Sequence, residues 1–466
     1  MAIKFGTGGW RAIIGDEFIK ENICLLAQAV AEDMEPGKDA VVIGYDRRFL
    51  SDTAAIWASE VFAGNGIKVW FVDRIAPTPL VMFGVKDLET KYGMAITASH
   101  NPAAYNGIKL FTAGGRDASA ETTVKFEAIL EKGVTVKSMP FEEGQEKGLI
   151  ETADIYNRYI DSIIDMIDMK AIRKKQLKIL LDPMFGVSRT SLQTVLMTAR
   201  CDVDIINDRH DALFGGKLPA PTENTLSDLR DRVVHEHYDL GIATDGDADR
   251  IGIIDRDGNY IKPNEILALL YYYLMKYKGQ RGAVVRNIAT THLLDRIAED
   301  FGQQCLEVPV GFKHISSGME ETDAIIGGES SGGLTIRGHI RGKDGIFASA
   351  LLVEMLSTTG KSIAELLEEI YAQYGVCKMT EFDTKFSQAK KDEIHDLLFV
   401  QKKVPTFPIG IEKISYADGM KIYFENGGWI IARFSGTEPL IRIFCEMESV
   451  EKAEAITQIL RTFVGL

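Results

Sequence analysis

The feature that most constrains the fold is an alternation of strand and helix signals that recurs three times, each time ending in a polar loop. Residues 40–46 (AVVIGYD) form a β-branched run closing on Gly and Asp, residues 53–66 have a helical pattern with a glycine stop, and residues 67–73 (IKVWFVD) are again strand-like. The same succession runs from residues 177–183 to 203–208 and from residues 282–287 to 306–310. Each unit then enters a third strand with a polar ending: GMAITASHNP (93–102), LGIATDGDAD (240–249) and AIIGGESSGG (324–333). Strands alternating with helices predict a parallel sheet with helices on both faces, here three diverged copies of one α/β/α unit. From near Tyr371 the pattern changes. Short strands at 420–425 and 429–435 and a closing helix from Val450 predict a smaller C-terminal α+β domain. The segment 139–148, rich in Glu and Gly, reads as a solvated connector. The expected domains are therefore 1–148, 149–258, 259–370 and 371–466. Ligands of open α/β sheets bind beyond the carboxyl ends of the strands, so three polar endings predict one site assembled from three domains.

Composition narrows the function classes. A chain of 466 residues predicts about three domains, and 45% hydrophobic with 26% charged residues is a globular mix, neither disordered nor collagen-like. Lys plus Arg number 53 against 67 Asp plus Glu, a net charge of −14. That is the wrong sign for non-specific nucleic-acid binding and discourages contact with anionic membranes. Cys24, Cys201, Cys305, Cys377 and Cys445 are scattered with no CxxC, which predicts free thiols in a reducing compartment. The N-terminus MAIKFGTGGWR has no apolar core of a signal peptide, and the longest apolar run, 266–275, is half a membrane span and reads as a core helix. The expectation is a soluble, cytoplasmic protein without nucleic-acid or membrane partners.

Four loops carry candidate chemistry. In TASHNPAAYNGIKL (97–110) a strand delivers Ser99 into a turn of small and polar residues. Such a serine suits a nucleophile or phosphoryl carrier, and equally a turn serine bonded to its own backbone. Asn106-Gly107 predicts a tight turn that brings Lys109 back toward Ser99 as an acid or base. His100 is not expected as a triad base, because the adjacent side chain rarely meets the serine hydroxyl, and the G-x-S-x-G of serine hydrolases is absent. In DGDADR (245–250) the aspartates alternate at Asp245, Asp247 and Asp249, which predicts three carboxylates on one side of an extended loop. Their repulsion calls for a cation, and oxygen ligands favour Mg²⁺, Mn²⁺ or Ca²⁺; a solvated acidic turn is the plainer alternative. An EF-hand fails, since its glycine position is Arg250 and its final glutamate position is Arg256. GGESSGG (327–333) offers Glu329, Ser330 and Ser331 among glycines, suited to sugar hydroxyls or to a flexible turn, with Arg341 and Lys343 nearby in IRGKDG. RFSGTEPLIR (433–442) sets Ser435, Gly436 and Thr437 between Arg433 and Arg442, the donors and positive charge that a phosphate dianion requires. FGTGGWRAIIG (5–15) adds Gly-rich backbone and Arg11 but is neither a Walker A loop nor a Rossmann fingerprint.

Taken in order, FGTGGWR, TASHNP with NGIK, DGDADR, GGESSGG with KDG, and RFSGTEP resemble the α-D-phosphohexomutase superfamily, the phosphoglucomutase/phosphomannomutase group, over essentially the whole chain. The resemblance implies three related α/β/α domains and a C-terminal α+β domain around a central cleft. It implies that Ser99 carries a phosphoryl group, that Asp245, Asp247 and Asp249 bind Mg²⁺ with the phosphoserine adding an oxygen, and that Arg250 closes that loop. Arg11, His100 and Lys109 match the cluster around the phosphoserine, and Lys343 matches a second acid/base. Glu329 and Ser331 match sugar-hydroxyl contacts, while Arg433, Ser435, Gly436, Thr437 and Arg442 match the grip on the non-transferred phosphate. Gly311 and Lys313, in VPVGFK, match a substrate loop more loosely. The implied activity is a mutase that interconverts the 1- and 6-phosphates of glucose or mannose through a bisphosphorylated sugar. Hexose 1,6-bisphosphate would be its activator, the C-terminal domain would close about a boundary near residue 371, and the enzyme would be a monomer or homodimer. Phosphoglucosamine or phosphopentose mutase, a phosphatase using the same serine, and a non-catalytic sugar-phosphate sensor are the competing readings. Two departures stand out: Ser330 replaces the middle residue of the usual GEES or GEMS, and Phe434 stands where Pro is common.

Overall fold

The computed structural model describes residues 3–6, 9–434 and 440–466. Its first sheet contains β1 (Trp10–Ile13), β2 (Ala40–Tyr45), β3 (Lys68–Phe71), β4 (Tyr92–Ile96), β5 (Tyr105–Thr112), β6 (Arg116–Asp117) and β7 (Ile150–Thr152), in the order β1-β5-β4-β2-β3-β7 with β6 on β5. Strands β4, β2, β3 and β7 are parallel, and β5 and β1 add an antiparallel edge. The sheet is thus mixed rather than parallel throughout. Val41, Val42 and Ile43 of β2 are all fully buried, as a strand covered on both faces must be. Helices Lys20–Ala31 and Ser51–Gly64 cover one face, packing Leu26, Val30, Ala58 and Phe62 into the core. Each such aliphatic or aromatic side chain contributes about 1.5–3 kcal/mol on burial.

Two sequence expectations change here. Asn106 and Gly107 do not turn the chain but lie inside β5, opposite Ala12 and Arg11 of β1. Glycine is required for close approach: a Cβ on Gly107 would stand 2.3 Å from the carbonyl oxygen of Trp10. The segment 139–148 is more than a connector. It holds a helix, Phe141–Glu146, whose phenylalanine meets Phe71 edge-on at 5.1 Å, and the first sheet runs on beyond it to Thr152.

The second sheet, β8 (Lys178–Asp182), β9 (Asp202–Ile205), β10 (Leu240–Thr244), β11 (Ile251–Asp255) and β12 (Tyr260–Ile261), has the order β12-β11-β10-β8-β9. Farther on, β13 (Val284–Asn287) pairs in parallel with β14 (Cys305–Val308), and β15 (Ile326–Gly328) pairs antiparallel with β16 (Leu334–Ile336). The three repeats share one device. β4 returns as β5, β10 as β11 and β15 as β16, each pair antiparallel, so the three polar loops are equivalent bends. The C-terminal sheet is antiparallel, β17 (Lys378–Lys385), β18 (Ile411–Ser415), β19 (Met420–Phe424), β20 (Trp429–Phe434) and β21 (Leu440–Met447), ordered β17-β21-β20-β19-β18. Helix Val450–Phe463, capped by Ser449 accepting from the N–H of Lys452, buries Ile456 and Leu460 in the same core as Ile422, Ile430 and Ile443.

The apolar run 266–275 begins as helix Pro263–Tyr272 and ends in a single π-turn, Tyr273–Tyr277. All five cysteines are free thiols, and no described helix is long and apolar enough to cross a membrane. The chain divides into two compact units, Met1–Leu270 with Ile326–Ile363, and Tyr271–Ile325 with Ala364–Leu466. One division point falls between Ile363 and Ala364, and the C-terminal sheet shares its unit with β13 and β14.

Candidate active site

Within the first unit, the three bends converge. A Cβ on Gly246 would lie 2.7 Å from the carbonyl oxygen of Ser99, so only glycine lets the second bend press against the first. The second bend meets the third through Ile251 N–H donating to Gly332 O at 3.3 Å, and meets the start of helix Gly345–Thr359 through Gly345 N–H donating to Ala248 O at 3.1 Å. Backbone contact alone thus fixes the three endings on one another.

Ser99 is buried and holds φ +53°, a left-handed conformation that costs a non-glycine residue about 1–2 kcal/mol. Its hydroxyl donates to Asp245 Oδ2 at 2.8 Å, and its N–H donates to Thr97 Oγ1 at 2.8 Å. The same turn brings His100 Nδ1 to 3.3 Å from Ser99 Oγ, against the expectation that adjacent side chains diverge. Burial, with Arg250 and Arg11 alongside, pushes the His100 pKa far below its usual value and keeps the imidazole neutral.

Asp245, Asp247 and Asp249 are all buried, each with an oxygen within 4.8 Å of one from the others. The loop is a tight turn rather than the extended stretch expected. Ala248 adopts φ +63°, and Asp245 Oδ1 accepts the N–H groups of Asp249 and Arg250, both at 3.0 Å. Lys109 Nζ donates to Asp247 Oδ2 and Asp249 Oδ2, both at 2.6 Å, so it reaches Ser99 through the acidic cluster rather than directly. Lys343 Nζ lies 3.0 Å from Asp249 Oδ2, and Arg250 Nε 3.8 Å from Asp249 Oδ1. Burial and then the neighbouring Asp247 and Asp249 drive the Asp245 carboxyl well above the usual range. Burial opposes ionisation of Asp249 too, but Lys109, Lys343 and Arg250 outweigh it and hold that carboxyl well below the range. Burial likewise opposes the charge on Lys109, and Asp247 and Asp249 overcome it, keeping the amine firmly protonated.

The Lys343 loop is anchored by Asp344, which caps helix Gly345–Thr359 and accepts from Tyr159 Oη at 2.7 Å. Gly333 leaves room for the Lys343 stem, whose Cδ would be 2.2 Å from a Cβ there. Glu329 is buried and Ser331 exposed on the third bend. Arg11, half-buried, donates to Asn101 Oδ1 at 2.6 Å.

In the second unit, Arg433 and Arg442 are direct cross-strand partners on β20 and β21. Like charges at that spacing repel unless compensated. Asp418 accepts from Arg433 at 3.0 Å, and Asp383 lies 3.5 Å from Arg442. Asp418 also accepts the N–H of Val310 at 2.7 Å, which ties the loop of Gly311 and Lys313 to Arg433. Ser435, Gly436 and Thr437 lie outside the described residues.

Models of all four phosphoglucomutase/phosphomannomutase domains match: α/β/α domain I over residues 2–137, domain II over 157–258, domain III over 262–374 and the C-terminal domain over 383–462. The chain belongs to the phosphoglucomutase/phosphomannomutase family. A phosphoglucomutase/phosphomannomutase of Thermococcus kodakarensis is 33% identical over 97% of this chain and 96% of its own length. A phosphoglucosamine/phosphogalactosamine mutase of Sulfurisphaera tokodaii is 30% identical over 100% of this chain and 99% of its own. The crystal structure of a proposed phosphomannomutase from Thermus thermophilus superposes over the full length of both chains with a TM-score of 0.87 at 31% identity. As in this family generally, the chain combines three α/β/α domains with a C-terminal domain of a different fold.

Sequence reasoning missed three buried residues of this phosphohexomutase site. Arg48 donates to the carbonyl oxygens of Ser99, Asn101, Pro102 and Tyr105 at 2.6–2.9 Å, clamping the serine bend from within. Asp46 accepts from Arg48 N–H, Ser51 Oγ and Thr97 Oγ1, which holds the clamp in place. Thr78 donates to Asp247 Oδ2 at 2.6 Å. The signal for the first two was available: GYDRR follows β2 at its carboxyl end, where ligand loops gather.

Proposed function

We propose that this phosphohexomutase interconverts hexose 1-phosphates and hexose 6-phosphates, with Ser99 as the phosphoryl carrier. The carrying observation is the direct hydrogen bond from the Ser99 hydroxyl to the buried Asp245–Asp247–Asp249 cluster. The phosphoryl group passes from Ser99 to the free hydroxyl of the sugar phosphate. The serine P–O bond breaks, a sugar P–O bond forms, and the proton of the sugar hydroxyl ends, in the net step, on the departing serine oxygen. The resulting bisphosphorylated sugar turns over and returns its other phosphoryl group to Ser99.

Lys109, firmly protonated, is suited to donate a proton to the departing serine oxygen, and Lys343 to serve the sugar oxygen. Arg11 and neutral His100 border the transferring group and add donors around it. The cluster suits a divalent cation, because Asp247 Oδ1 and Asp249 Oδ1 are buried with no hydrogen-bond partner and the ligands are oxygens only. Asp245, Asp247 and Asp249 would hold Mg²⁺, which supplies positive charge to the transferring phosphoryl group. Glu329 and Ser331 are assigned the sugar hydroxyls, Arg250, Gly311 and Lys313 further substrate contacts, and Arg433, Ser435, Gly436, Thr437 and Arg442 the non-transferred phosphate. Hexose 1,6-bisphosphate would prime the serine. The domain limits 1–148, 149–258, 259–370 and 371–466, a cytoplasmic location and a monomeric or dimeric state complete the proposal.

Glucose and mannose phosphates are the first candidates, given the 33% identical relative. Glucosamine phosphate is a second reading, favoured by the equally full-length relative named for amino sugars. The test is turnover of glucose 1-phosphate to glucose 6-phosphate with Mg²⁺ and a trace of glucose 1,6-bisphosphate, together with mass spectrometry of the Ser99 peptide. Phosphate release without isomer formation would mark a phosphatase. Binding without turnover would mark a sensor.

A further inference from the structure

Residues 337–344 run from the end of β16 to the start of helix Gly345–Thr359, and they carry Lys343. Gly338, at φ +92°, and Gly342 give this loop a backbone with little stiffness of its own. The chemistry nonetheless needs the Lys343 amine held in one place, beside Asp249 and within reach of a sugar oxygen. His339 lies in the same loop, is buried, and has no part in that chemistry. Its ring turns back onto the end of the loop, where Nε2 is 2.6 Å from Asp344 Oδ2. A carboxylate only accepts, so the Nε2 that faces it carries the proton.

Asp344 thereby receives four donors. Oδ2 takes His339 Nε2 and Tyr159 Oη at 2.6 and 2.7 Å, and Oδ1 takes the N–H groups of Ile346 and Phe347 at 2.8 and 2.9 Å. Asp344 and Tyr159 are as deeply enclosed as His339. The donors are themselves fixed: the imidazole stacks on Phe347 with ring centres 4.6 Å apart, and Tyr159 lies 5.7 Å from Phe83.

What fixes Asp344 fixes the root of the lysine bonded to it. The Asp344 N–H donates to Leu334 O at 3.1 Å, next to the Gly333 that makes room for the Lys343 stem. One residue on, Gly345 ties the chain to Ala248 in the aspartate loop. The backbone of His339 supplies a second tie. Lys86 Nζ donates to His339 O at 3.0 Å and to Gly338 O at 3.2 Å. Lys86 stands in the last turn of helix Thr78–Asp87, whose first residue, Thr78, donates to Asp247. His339 joins both ties, its side chain to Asp344 and its carbonyl to Lys86. The lysine loop is thus registered twice on the aspartate loop, along the chain at Gly345 and across it through one helix.

We propose that His339 is a positioning residue for phosphoryl transfer: through Asp344 it holds the Lys343 amine where the sugar oxygen reacts. The inference rests on the mutase reading, in which Lys343 serves that oxygen. A couple that served stability alone would cost the same rate whether or not Lys343 is present. One that serves Lys343 costs nothing once the lysine is gone.

The experiment is a double-mutant cycle on turnover of glucose 1-phosphate with Mg²⁺ and a trace of glucose 1,6-bisphosphate, run below the melting temperature of every variant. Lys343→Ala should lower kcat by about 100-fold, the contribution of a placed acid or base. His339→Ala should lower kcat by about tenfold, since slight misplacement of a reacting group is costly. Its KM should stay within about twofold, because no sugar contact is removed. In the Lys343→Ala background the same change should cost less than about twofold in kcat. His339→Gln, whose amide can donate to Asp344 Oδ2, should recover most of the loss. Tyr159→Phe keeps the ring and removes one donor, so it should give a smaller fall, again only when Lys343 is present; it carries the cycle if His339→Ala does not fold. Acetylation of Lys343 followed by mass spectrometry is a readout free of turnover, and it should run severalfold faster in His339→Ala, or in Tyr159→Phe, with Lys109 unchanged. Full kcat in the folded variants, or equal losses with and without Lys343, overturns the positioning role and leaves the mutase standing. Absence of wild-type turnover on every hexose phosphate instead overturns the mutase reading, and the acetylation rates then decide the placement of Lys343 by themselves.

Discussion

Each compact unit holds a cluster of charged side chains, and the two clusters are built to opposite rules. In the second unit, Arg286 forks onto Asp295 at 2.7 and 2.9 Å and reaches Glu307 at 2.6 Å, while Lys421 donates to Glu307 and to the carbonyl of Ile288, both at 2.7 Å. The ring of His292 stacks on Tyr423, and Lys421 lies 4.3 Å from the centre of Trp429. Two cations meet two anions, and among the described residues none of these side chains leaves a buried polar atom without a partner. In the first unit, Lys109 and Lys343 pair with Asp247 and Asp249 of the three carboxylates, and Asp247 Oδ1 and Asp249 Oδ1 stay buried without a hydrogen-bond partner. The closed cluster spans elements far apart in sequence, β13 and β14 on one side and the C-terminal sheet on the other, and acts as a clamp. The open one stores unfavourable electrostatics at the foot of a serine. A buried charge network is therefore not evidence of function; its unsatisfied remainder is.

The sharpest break between the clusters is Ser99→Ala. Removing the carrier should lower kcat by at least about 1,000-fold, as losses of a covalent nucleophile do. The melting temperature should stay within a degree or two, because the hydroxyl ends in a strained bend. A variant that keeps normal turnover would take Ser99 out of the reaction.

The clamp should respond the other way. Lys421→Met takes one partner from the half-buried Glu307 and leaves Arg286 and Tyr423 on it, and losing a hydrogen bond to a charged group costs about 1.5–3 kcal/mol of stability. Chemical denaturation would measure it, and a loss under about 1 kcal/mol would contradict the clamp. The pH dependence has a definite sign. Burial opposes ionisation of Glu307, but His292, Arg286 and Lys421 hold its carboxyl far below the ordinary range. The unfolded chain then takes up a proton that the folded one refuses. This stability is present above the ordinary carboxyl pKa, about 4.3, and is lost as the pH falls below it. The gap between the melting temperatures of wild type and Lys421→Met should therefore be full at pH 7, still large at pH 4, and close only in stronger acid, as the pH nears the folded value.

Asp247→Asn tests the open cluster. Burial and Asp249 oppose ionisation of Asp247, but Lys109 and Thr78 outweigh them, so without metal the melting temperature should fall modestly, by less than for a substitution in the clamp. Turnover should fall by about 100-fold, the scale of a lost metal contact. Added Mg²⁺ should stabilise wild type by about 2–3 kcal/mol at a hundredfold excess over its Kd, and the variant by much less. Chelation should reverse the difference. Equal stabilisation of both proteins would separate Asp247 from any cation.

What the sequence revealed and what it hid divide along a physical line. The repeated strand–helix alternation, the C-terminal change of pattern and the loops bearing Ser99, Asp245, Asp247 and Asp249 were legible, because each depends on local period and residue type. The structure gathers Ser99, Lys109, Lys343 and the aspartates in one place. It also shows where local rules mislead. Asn106-Gly107 reads as a turn but is strand, since the glycine answers to the Trp10 backbone rather than to its neighbours in sequence. His100 meets Ser99 because of one positive φ that no composition predicts. The division into units, with β13 and β14 joined to the C-terminal sheet, depends on Glu307 meeting Lys421 across more than a hundred residues. Such pairings leave no periodic trace.

Arg48 gives the smallest and most diagnostic prediction. Its guanidinium satisfies four carbonyls of the serine bend and packs 4.8 Å from the centre of the Phe214 ring. Lysine keeps the charge but offers three donors at a point rather than a planar fork, so Arg48→Lys cannot satisfy all four of those carbonyls. The bend should loosen without losing its place. That predicts a fall of about tenfold in kcat with KM for the sugar phosphate nearly unchanged, because Arg48 positions the carrier and does not touch the sugar. Guanidinium ion added at millimolar concentration to Arg48→Ala should restore part of the rate. A purely structural role would instead lower stability and leave the activity of the folded fraction intact. Loss in KM rather than kcat would place Arg48 against the substrate, and would make the first unit's cluster less of a prepared trap for the phosphoryl group than the comparison with the clamp implies.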